Sequence, residues 1–281
     1  MKINNKGFAI TSIIYSMLIL FLTLVVLIIA NLASRKVVFD QQKEDILDKF
    51  SSNIVSEEYQ KIEYIKSTGT QYIDTGFKPT INTKVSTNLK FEEYQGYTLY
   101  NSRLFGATDY TNDTGFSINF GETKEEQNRL IIWTGKPYGN YKDQYDDSSN
   151  TNFPVNSIVV LEDTILNKNE MILTSDSFKY GTQTMDIVKT DATKWATNKV
   201  DKNMLILAAT NRNDTPAITP FSIYKNVYLY DFKIYDNNVL VRNFVPCYRK
   251  SDNQAGLYDL VNDKFYTNSG EGVFLTGPDV E

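Results

Sequence analysis

The chain has 281 residues, a formal net charge of −5, a single cysteine and no histidine. The acidic balance argues against nucleic acid as a partner, because a nucleic-acid-binding domain normally carries a basic footprint. The lack of histidine and of a second cysteine excludes an internal disulfide, thiolate or imidazole metal sites, and Ser–His or Cys–His nucleophile pairs. Carboxylates, lysine and tyrosine are the groups left for any catalysis.

The N-terminal part of the chain is apolar. Residues 7–34 carry no charge and are followed by Arg35-Lys36. As a helix this segment would be about 42 Å long at ~1.5 Å per residue, against a hydrocarbon core of ~30 Å. We therefore predict a transmembrane helix over residues 8–34. A rhythm of apolar residues every 3–4 positions continues beyond it and predicts an amphipathic helical stalk over residues 35–61.

Three interpretations of this N-terminus are open: an uncleaved signal anchor, a cleaved signal peptide and a prepilin. The apolar segment exceeds the ~7–15 residues usual for a cleaved signal peptide, which disfavours that interpretation. Lys6-Gly7-Phe8-Ala9-Ile10 resembles the type IV prepilin leader. The resemblance implies a leader peptide of residues 1–7, cleaved after Gly7, and a mature chain that starts at Phe8.

One position departs from the major-pilin pattern. Major pilins usually carry glutamate at the fifth mature position, where this chain has Ser12. A carboxylate within hydrocarbon is costly unless it is paired, so its loss removes a contact that sets register in a fibre. The resemblance therefore implies a minor pilin or pseudopilin, with other pilin-like subunits as partners, and a plain anchor remains the alternative.

Lysine and arginine flank the apolar segment on both sides, so their count does not decide the orientation in the membrane. The pilin resemblance and the polar composition of the rest of the chain imply a single-pass protein of the cell membrane. Its C-terminal domain would lie outside the cell, at the cell surface or in a pilus.

After residue 62 the sequence changes to short β-prone runs between Gly, Asn, Asp and Pro clusters. Many strands and little helix predict a mainly β, two-sheet sandwich. Alternation along residues 227–235 predicts a core face of Tyr228, Tyr230, Phe232 and Ile234. The predicted strands are Ile62–Ile65, Gln71–Asp74, Lys84–Phe91, Arg103–Ala107, Gly115–Asn119, Leu130–Trp133, Ile158–Glu162, Met171–Thr174, Met204–Ala208, Ser222–Tyr235, Val239–Pro246, Gly256–Leu260 and Lys264–Tyr266.

Two segments of this region resemble the concanavalin A-like, laminin-G-like jelly rolls of Gram-positive surface and phage proteins: residues 63–76, and residues 233–250 followed by 256–262 and 265–266. The resemblance implies a jelly-roll β-sandwich ectodomain over residues 62–281. Such domains include lectins, glycanases and protein-binding modules, so a glycan or a surface protein is the expected ligand.

The residues within these segments have structural interpretations. Gly69 suits a turn that needs positive φ, and Asn237-Asn238 is a hairpin signal. Arg242 has three candidate partners: Asp236, Asp259 or a loop carbonyl. Cys247, at a strand end, is expected to be a small buried apolar side chain.

Catalysis is not expected. The glycanases of this fold carry a Glu-x-Asp-x-x-Glu strand, which this sequence lacks. Retaining glycosidases need two carboxyl groups ~5–5.5 Å apart. Glu92-Glu93 and Glu125-Glu126 are adjacent pairs, and neighbours on a strand point to opposite faces. A membrane-anchored glycan-active hydrolase is therefore only the alternative to a non-enzymatic display protein, as is a signal-anchored binding module without pilus assembly.

Two sets of loop residues are candidates for binding. Calcium takes 6–8 oxygen ligands, often from loops, and Asp109, Asn112 and Asp113 cluster in one; these residue types are also common in turns. No other cofactor is expected. Glycan binding uses aromatic faces, and the aromatic residues in or beside loop-like segments are Trp133, Tyr138, Tyr141, Tyr145 and Trp195. The sequence thus predicts a membrane-anchored, pilin-like surface protein whose jelly roll serves adhesion or glycan or protein binding.

Overall fold

The computed structural model of the protein describes residues 13–27, 29, 55–91, 103–109, 111–112, 114–120, 129–136, 139–140, 154–155, 157–160, 167–187, 199–208 and 227–280. The chain divides into two compact units, Met1–Ile54 and Val55–Glu281.

The described part of the first unit is a short helix, α1, over residues 13–27. Its large apolar side chains are exposed, with Leu20 at 73% and Phe21 at 62%. Among the described residues, no helix is both long and apolar enough to cross a membrane. The long apolar helix that the sequence predicts is thus not found there. The other positions of that helix, and residues 1–7 and 35–54, lie outside the described residues.

The second unit is built of strands, which confirms the mainly β class. Its strands within the described residues are β1 (Tyr59–Lys61), β2 (Ile65–Lys66), β3 (Ile73–Asp74), β4 (Thr83–Phe91), β5 (Arg103–Asp109), β6 (Thr114–Phe120), β7 (Arg129–Gly135), β8 (Gly139–Asn140), β9 (Pro154–Val155), β10 (Ser157–Val160), β11 (Asn169–Leu173), β12 (Ser177–Tyr180), β13 (Gln183–Asp186), β14 (Leu205–Ile206), β15 (Val227–Leu229), β16 (Phe232–Asp236), β17 (Val239–Arg249), β18 (Gln254–Asp259), β19 (Lys264–Thr267) and β20 (Leu275–Thr276).

The described strands form two large sheets and one ribbon. In the first sheet the order is β13-β12-β11-β4-β16-β17-β18-β19, with β15 between β4 and β2, β20 beside β2, and β1 beside β17. In the second sheet the order is β10-β7-β6-β5-β14-β3, and β8 pairs with β9 in the ribbon. Neighbouring strands throughout are antiparallel, for example β4 with β11 and β5 with β6.

Both sheets contribute to one hydrophobic core. Burial alternates along β4, so that Val85 and Leu89 point inward while their neighbours are half-buried. Phe105 and Ile118 of the second sheet belong to the same cluster. The rings of Phe105 and Phe232 meet edge to face, with centroids 5.3 Å apart. Alternation therefore turns one face of β4 toward this cluster, whereas every residue of β5 in the second sheet is buried.

Two predicted turns are confirmed. Asn237 and Asn238 have φ of 51° and 64° and form a two-residue loop between β16 and β17. Positive φ at both central residues is the requirement of the tight hairpin turn that asparagine tolerates. Gly69, with φ of 115°, lies in the turn that takes the chain from β2 in the first sheet to β3 in the second.

The predicted stalk over residues 35–61 is wrong at its end. Tyr59–Lys61 is the strand β1, which pairs with the C-terminal half of β17, including Lys61 with Cys247. The ring of Tyr59 packs on Tyr258 and Phe265, with centroid distances of 5.0 and 4.7 Å. Tertiary contacts with aromatic side chains therefore outweigh the helical periodicity at this position.

Val55 and Tyr59 cover a small apolar cluster made of Cys247, Tyr258 and Leu260. The thiol of Cys247 is buried, as the sequence predicts, and forms no disulfide. Burial raises its pKa to about 12. Cys247 thus acts as a small apolar side chain rather than as a reactive group.

The predicted core face of residues 227–235 is wrong in its first half. Val227 and Leu229 are buried, whereas Tyr228 and Tyr230 are half-buried on the other face. Phe232 and Ile234 are buried as predicted. The run is two strands, β15 and β16, which both pair with β4. The break between them shifts the alternation by one residue.

Candidate functional site

A groove of about 400 Å³ opens where three turns of the first sheet meet. The first turn precedes β4, the second joins β11 to β12, and the third joins β16 to β17. Its lining residues are Ile81, Asn82, Thr83, Lys84, Thr174, Ser175, Asp176, Ser177, Asn237 and Asn238. This volume falls within the range of small-ligand sites.

The first and third turns are tied together by side chains. The Asn82 side-chain amide donates to Asn237 Oδ1 at 2.7 Å, and the backbone N–H of Asn237 donates to the Asn82 carbonyl at 3.3 Å. Thr80 Oγ1 donates to Asp236 Oδ1 at 2.5 Å. These bonds fix one wall of the groove, so the exposed amide groups of Asn82 and Asn238 project from a rigid support.

The second turn is held by its own hydroxyl groups. Thr174 Oγ1 accepts the backbone N–H groups of Asp176 at 3.1 Å and of Ser177 at 2.9 Å. Thr134 of the second sheet donates from Oγ1 to the Ser175 carbonyl at 3.1 Å. Such local side-chain bonds are the reason that serine, threonine and aspartate favour turns. The exposed carboxylate of Asp176 completes the polar rim.

The groove suits a ligand with many hydroxyl groups. Amides, hydroxyls and a carboxylate line it, and Ile81, 39% exposed, adds an apolar contact. Lys84 also lines it, and its amino group lies 4.1 Å from the centroid of the Tyr235 ring. The groove is open rather than enclosed, so water would reach any bound group. This arrangement favours binding over chemistry that needs a dry site.

The aromatic residues that the sequence predicts for ligand binding are not assembled here. Trp133 is only 1% exposed, and its Nε1–H donates to the Gly135 carbonyl at 2.7 Å. A Cβ at Gly115 would lie 2.5 Å from the Trp133 ring, so the indole fills the space that this glycine leaves. The prediction that Trp133 binds a ligand is therefore wrong. Tyr138, Tyr141, Tyr145 and Trp195 lie outside the described residues.

The proposed calcium ligands have a structural role where they are described. Asp109 Oδ1 accepts the backbone N–H groups of Thr111 and Asn112, each at 3.1 Å, and its Oδ2 accepts the Asn112 side chain at 2.7 Å. The carboxylate is thus engaged within its own turn. Asp113 lies outside the described residues. Within the ranges that the structure describes, no group of three or more acidic or cysteine side chains could hold a metal ion.

Arg242 bonds two of the three partners considered. Its Nε lies 3.5 Å from Asp259 Oδ2 and 3.4 Å from the carbonyl of Thr75 in a loop. Asp259 is fully buried, and its Oδ1 also accepts the backbone N–H of Asn243 at 2.9 Å. The pair joins β17 to β18 and to the loop after β3, which is a structural rather than a catalytic arrangement.

The remaining predicted residues cannot be placed. Gly7 and Phe8 of the predicted cleavage site, and the adjacent glutamate pairs 92–93 and 125–126, lie outside the described residues. No protein-family model matches this chain, and no curated protein matches it.

The groove itself was not predicted as a site. Its residues come from three segments separated by about 60 to 90 positions, which only the sheet order brings together. The only indication of the groove in the sequence was a set of turn-forming residues in three segments, 80–83, 174–177 and 237–238. Each turn was recognisable by itself, but their common position at one end of neighbouring strands was not.

Proposed function

We propose that this chain is a non-enzymatic, membrane-anchored surface protein that displays a jelly-roll β-sandwich domain for glycan binding. The two sheets around one core support the sandwich, and the Gly7-Phe8 motif before an apolar segment supports a pilin-like anchor. The domain would lie outside the cell, on the membrane or in a fibre of pilin-like subunits.

The observation that carries the binding function is the polar groove of the three turns. A free oligosaccharide presents hydroxyl groups in fixed directions, and the amides of Asn82 and Asn238 can donate and accept at once. Both are exposed and sit on turns that hydrogen bonds already hold. A rigid polar site avoids part of the ordering cost of binding.

Asn238→Gly tests the groove without breaking its turn. Asn238 has φ of 64°, a conformation in which glycine is unstrained, so the variant removes the amide and keeps the hairpin. The full-length chain in neutral detergent would be screened on a glycan array, and the best ligand titrated. We expect Asn238→Gly to lower the affinity for that ligand about three- to tenfold, which is the effect of one lost hydrogen bond.

Asn253→Gly is the matched control. Asn253 also has positive φ, 55°, but lies in the turn after β17, at the end of that strand opposite to Asn238. Its variant should bind as the parent chain does. Equal loss in the two variants, or no glycan bound by the parent chain, would contradict the proposal.

Processing of the anchor has a separate test. Intact mass and N-terminal sequencing of the chain from native membranes should give Phe8 as the first residue if the leader is cut as in prepilins. A chain that keeps residues before Gly7 would make the protein a plain anchored binding module, with the groove function unaffected.

A further inference from the structure

The outward face of the first sheet carries a cluster that groups cations with aromatic rings. It lies on β4, β15, β2 and the residues beside them, away from the shared core. We name it the lysine–tyrosine face and define it by Tyr64, Lys66, Lys90, Lys168, Tyr228 and Tyr230.

Sheet register places Tyr228 between two lysines. It is paired with Lys90 of β4 on one side and with Lys66 of β2 on the other. The amino groups of Lys66 and Lys90 lie 4.6 and 5.3 Å from the centroid of its ring. Lys66 Nζ also donates to the Tyr228 hydroxyl at 3.1 Å. One ring therefore orients two ammonium groups.

The other two tyrosines extend this support. Tyr64 meets the rings of Tyr228 and Tyr230 edge to face, with centroids 4.8 and 5.6 Å away. Lys168 Nζ lies 4.0 Å from the centroid of Tyr230. A lysine side chain loses much rotamer entropy when it is ordered, and the rings impose that order before any ligand arrives.

The local charge of this face is opposite to that of the chain. A contact with a neutral ring does not neutralise an ammonium group, while the chain carries a net charge of −5. Among the described residues, three carboxylates are close, and one of them, Glu170, accepts from the Ser86 hydroxyl and pairs with Lys179 at 2.8 Å. Burial raises the pKa of Tyr230, and the charge of Glu63 raises it further. Asp231 is bonded to the backbone and side chain of Asn88. Three lysines thus favour an anionic partner.

The face continues as a strip along β4. Lys90, Asn88, Ser86 and Lys84 alternate outward, and Lys84 forms a second lysine–tyrosine contact with Tyr235. Lys84 and Lys90 are six positions apart on the strand, a span of ~20 Å. Between these cations the Asn88 amide and the Ser86 hydroxyl are bonded to Asp231 and Glu170. The cations at the two ends fit an extended polymer whose carboxylates are spaced along its length.

From these observations we infer that the lysine–tyrosine face binds an acidic polysaccharide. Its carboxylates would pair with the ordered lysines, and its hydroxyl groups would bond the phenol groups of the tyrosines. The net negative charge of the chain disfavours nucleic acid, whose charge is denser. The inference does not depend on the groove, which shares only Lys84 with the strip.

The test uses polygalacturonate and its fully methyl-esterified form, in which each carboxylate is replaced by a neutral methyl ester. The full-length chain in neutral detergent would be titrated with each polymer. We expect polygalacturonate to bind at least about tenfold more tightly, with an affinity that falls as salt rises. Polyphosphate, an anionic polymer without sugar rings, should bind more weakly than polygalacturonate.

Two triple variants separate this face from general charge. The first variant combines Lys66→Gln, Lys90→Gln and Lys168→Gln. It should weaken the binding of polygalacturonate about tenfold or more and reduce the dependence of that binding on salt. The control combines Lys136→Gln, Lys202→Gln and Lys264→Gln, which removes the same charge and includes a lysine 4.8 Å from the Tyr266 ring. It should change the affinity less than about twofold.

Several outcomes would overturn the inference: equal binding of the methyl ester, equal binding of polyphosphate, or equal losses in the two triple variants. Asn238→Gly should leave polygalacturonate binding unchanged. If Asn238→Gly abolished it while the Lys66, Lys90 and Lys168 variant kept it, the acidic polymer would bind in the groove instead.

Discussion

Asp231 takes the place of a backbone acceptor for Asn88 on the neighbouring strand. Its Oδ1 accepts the backbone N–H of Asn88 at 2.9 Å, and its Oδ2 accepts the side-chain amide at 2.8 Å. Thr87 Oγ1 donates to the Asp231 carbonyl at 2.6 Å. The carboxylate therefore stabilises the break between β15 and β16. Across this break the alternation of buried residues shifts by one position, so that the next buried residue after Leu229 is Phe232.

Asp231→Ala should lower the free energy of unfolding by about 1–3 kcal/mol, because it leaves a partly buried N–H group without an acceptor. Asp231→Asn keeps one acceptor oxygen and should lower the free energy of unfolding by less than Asp231→Ala does. Urea denaturation of the full-length chain, followed by the signal of its strands, measures the difference.

The control for this prediction is Asp186→Ala. Asp186 is an exposed residue on the edge strand β13, where a substitution normally changes stability by less than about 0.5 kcal/mol. Equal effects of Asp231→Ala and Asp186→Ala would show that the carboxylate does not hold the break.

Local signals in the sequence predicted the local parts of this fold. The Asn237-Asn238 loop and the turn at Gly69 follow from the conformations that asparagine and glycine tolerate at positive φ. Most strands follow from β-prone runs between turn residues. These features depend on a few consecutive residues, so the sequence alone was sufficient.

Tertiary contacts decided the features that the sequence analysis missed. The shift at Asp231 depends on Asn88, which is 143 positions away. Trp133 resembles a loop aromatic in sequence, but Gly115 on the adjacent strand makes the space that buries it. The helical periodicity before residue 61 predicts a helix, but the last residues of that segment pair with β17 as a strand. None of these partners can be identified from periodicity.

The buried pair of Arg242 and Asp259 gives a second prediction. Asp259→Ala should lower the free energy of unfolding by about 3–5 kcal/mol, because it leaves Arg242 without its carboxylate and two backbone N–H groups without an acceptor. A double-mutant cycle with Arg242→Met measures how much of this loss belongs to the pair.

The exposed pair of Arg249 and Asp252, 2.6 Å apart, is the natural control for that cycle. Water and salt screen an exposed pair, so Asp252→Ala should have a much smaller effect than Asp259→Ala. If the two aspartate variants were equally destabilised, burial would not be the cause.

Cys247 gives a third prediction, on pH. Its thiol has a pKa of about 12 in the folded chain, because burial disfavours the thiolate, against ~8.5 when unfolded. Between these values the folded state binds more protons than the unfolded state, so stability falls as pH rises. The stability that the buried neutral thiol contributes is fully present below pH ~8.5.

The parent chain should therefore lose about 2 kcal/mol more than Cys247→Ala between about pH 8 and about pH 10. Lysines and tyrosines titrate equally in both chains, so the difference isolates the thiol. Unfolding free energies from urea denaturation at the two pH values provide the measurement. Parallel losses in the two chains would mean that the thiol ionises as easily when folded as when unfolded.

The cover over Cys247 gives the last prediction. Tyr59 packs on Tyr258 and Phe265 above the cluster that contains the thiol, and β1 pairs Lys61 with Cys247. Iodoacetamide should therefore modify the parent chain slowly, through local opening of β1. Tyr59→Ala removes this packing and should raise the labelling rate at least about tenfold, because opening costs less.

Tyr228→Ala is the matched control, since it removes a half-buried tyrosine of the same sheet whose contacts are with Tyr64 and lysines rather than with the Cys247 cluster. Its labelling rate should stay within about twofold of the parent rate, because local opening of β1 is then unchanged. Equal acceleration in the two variants would mean that the thiol is reached by opening of the whole unit. Acceleration in Tyr59→Ala alone would assign the protection of Cys247 to the first strand after the N-terminal unit.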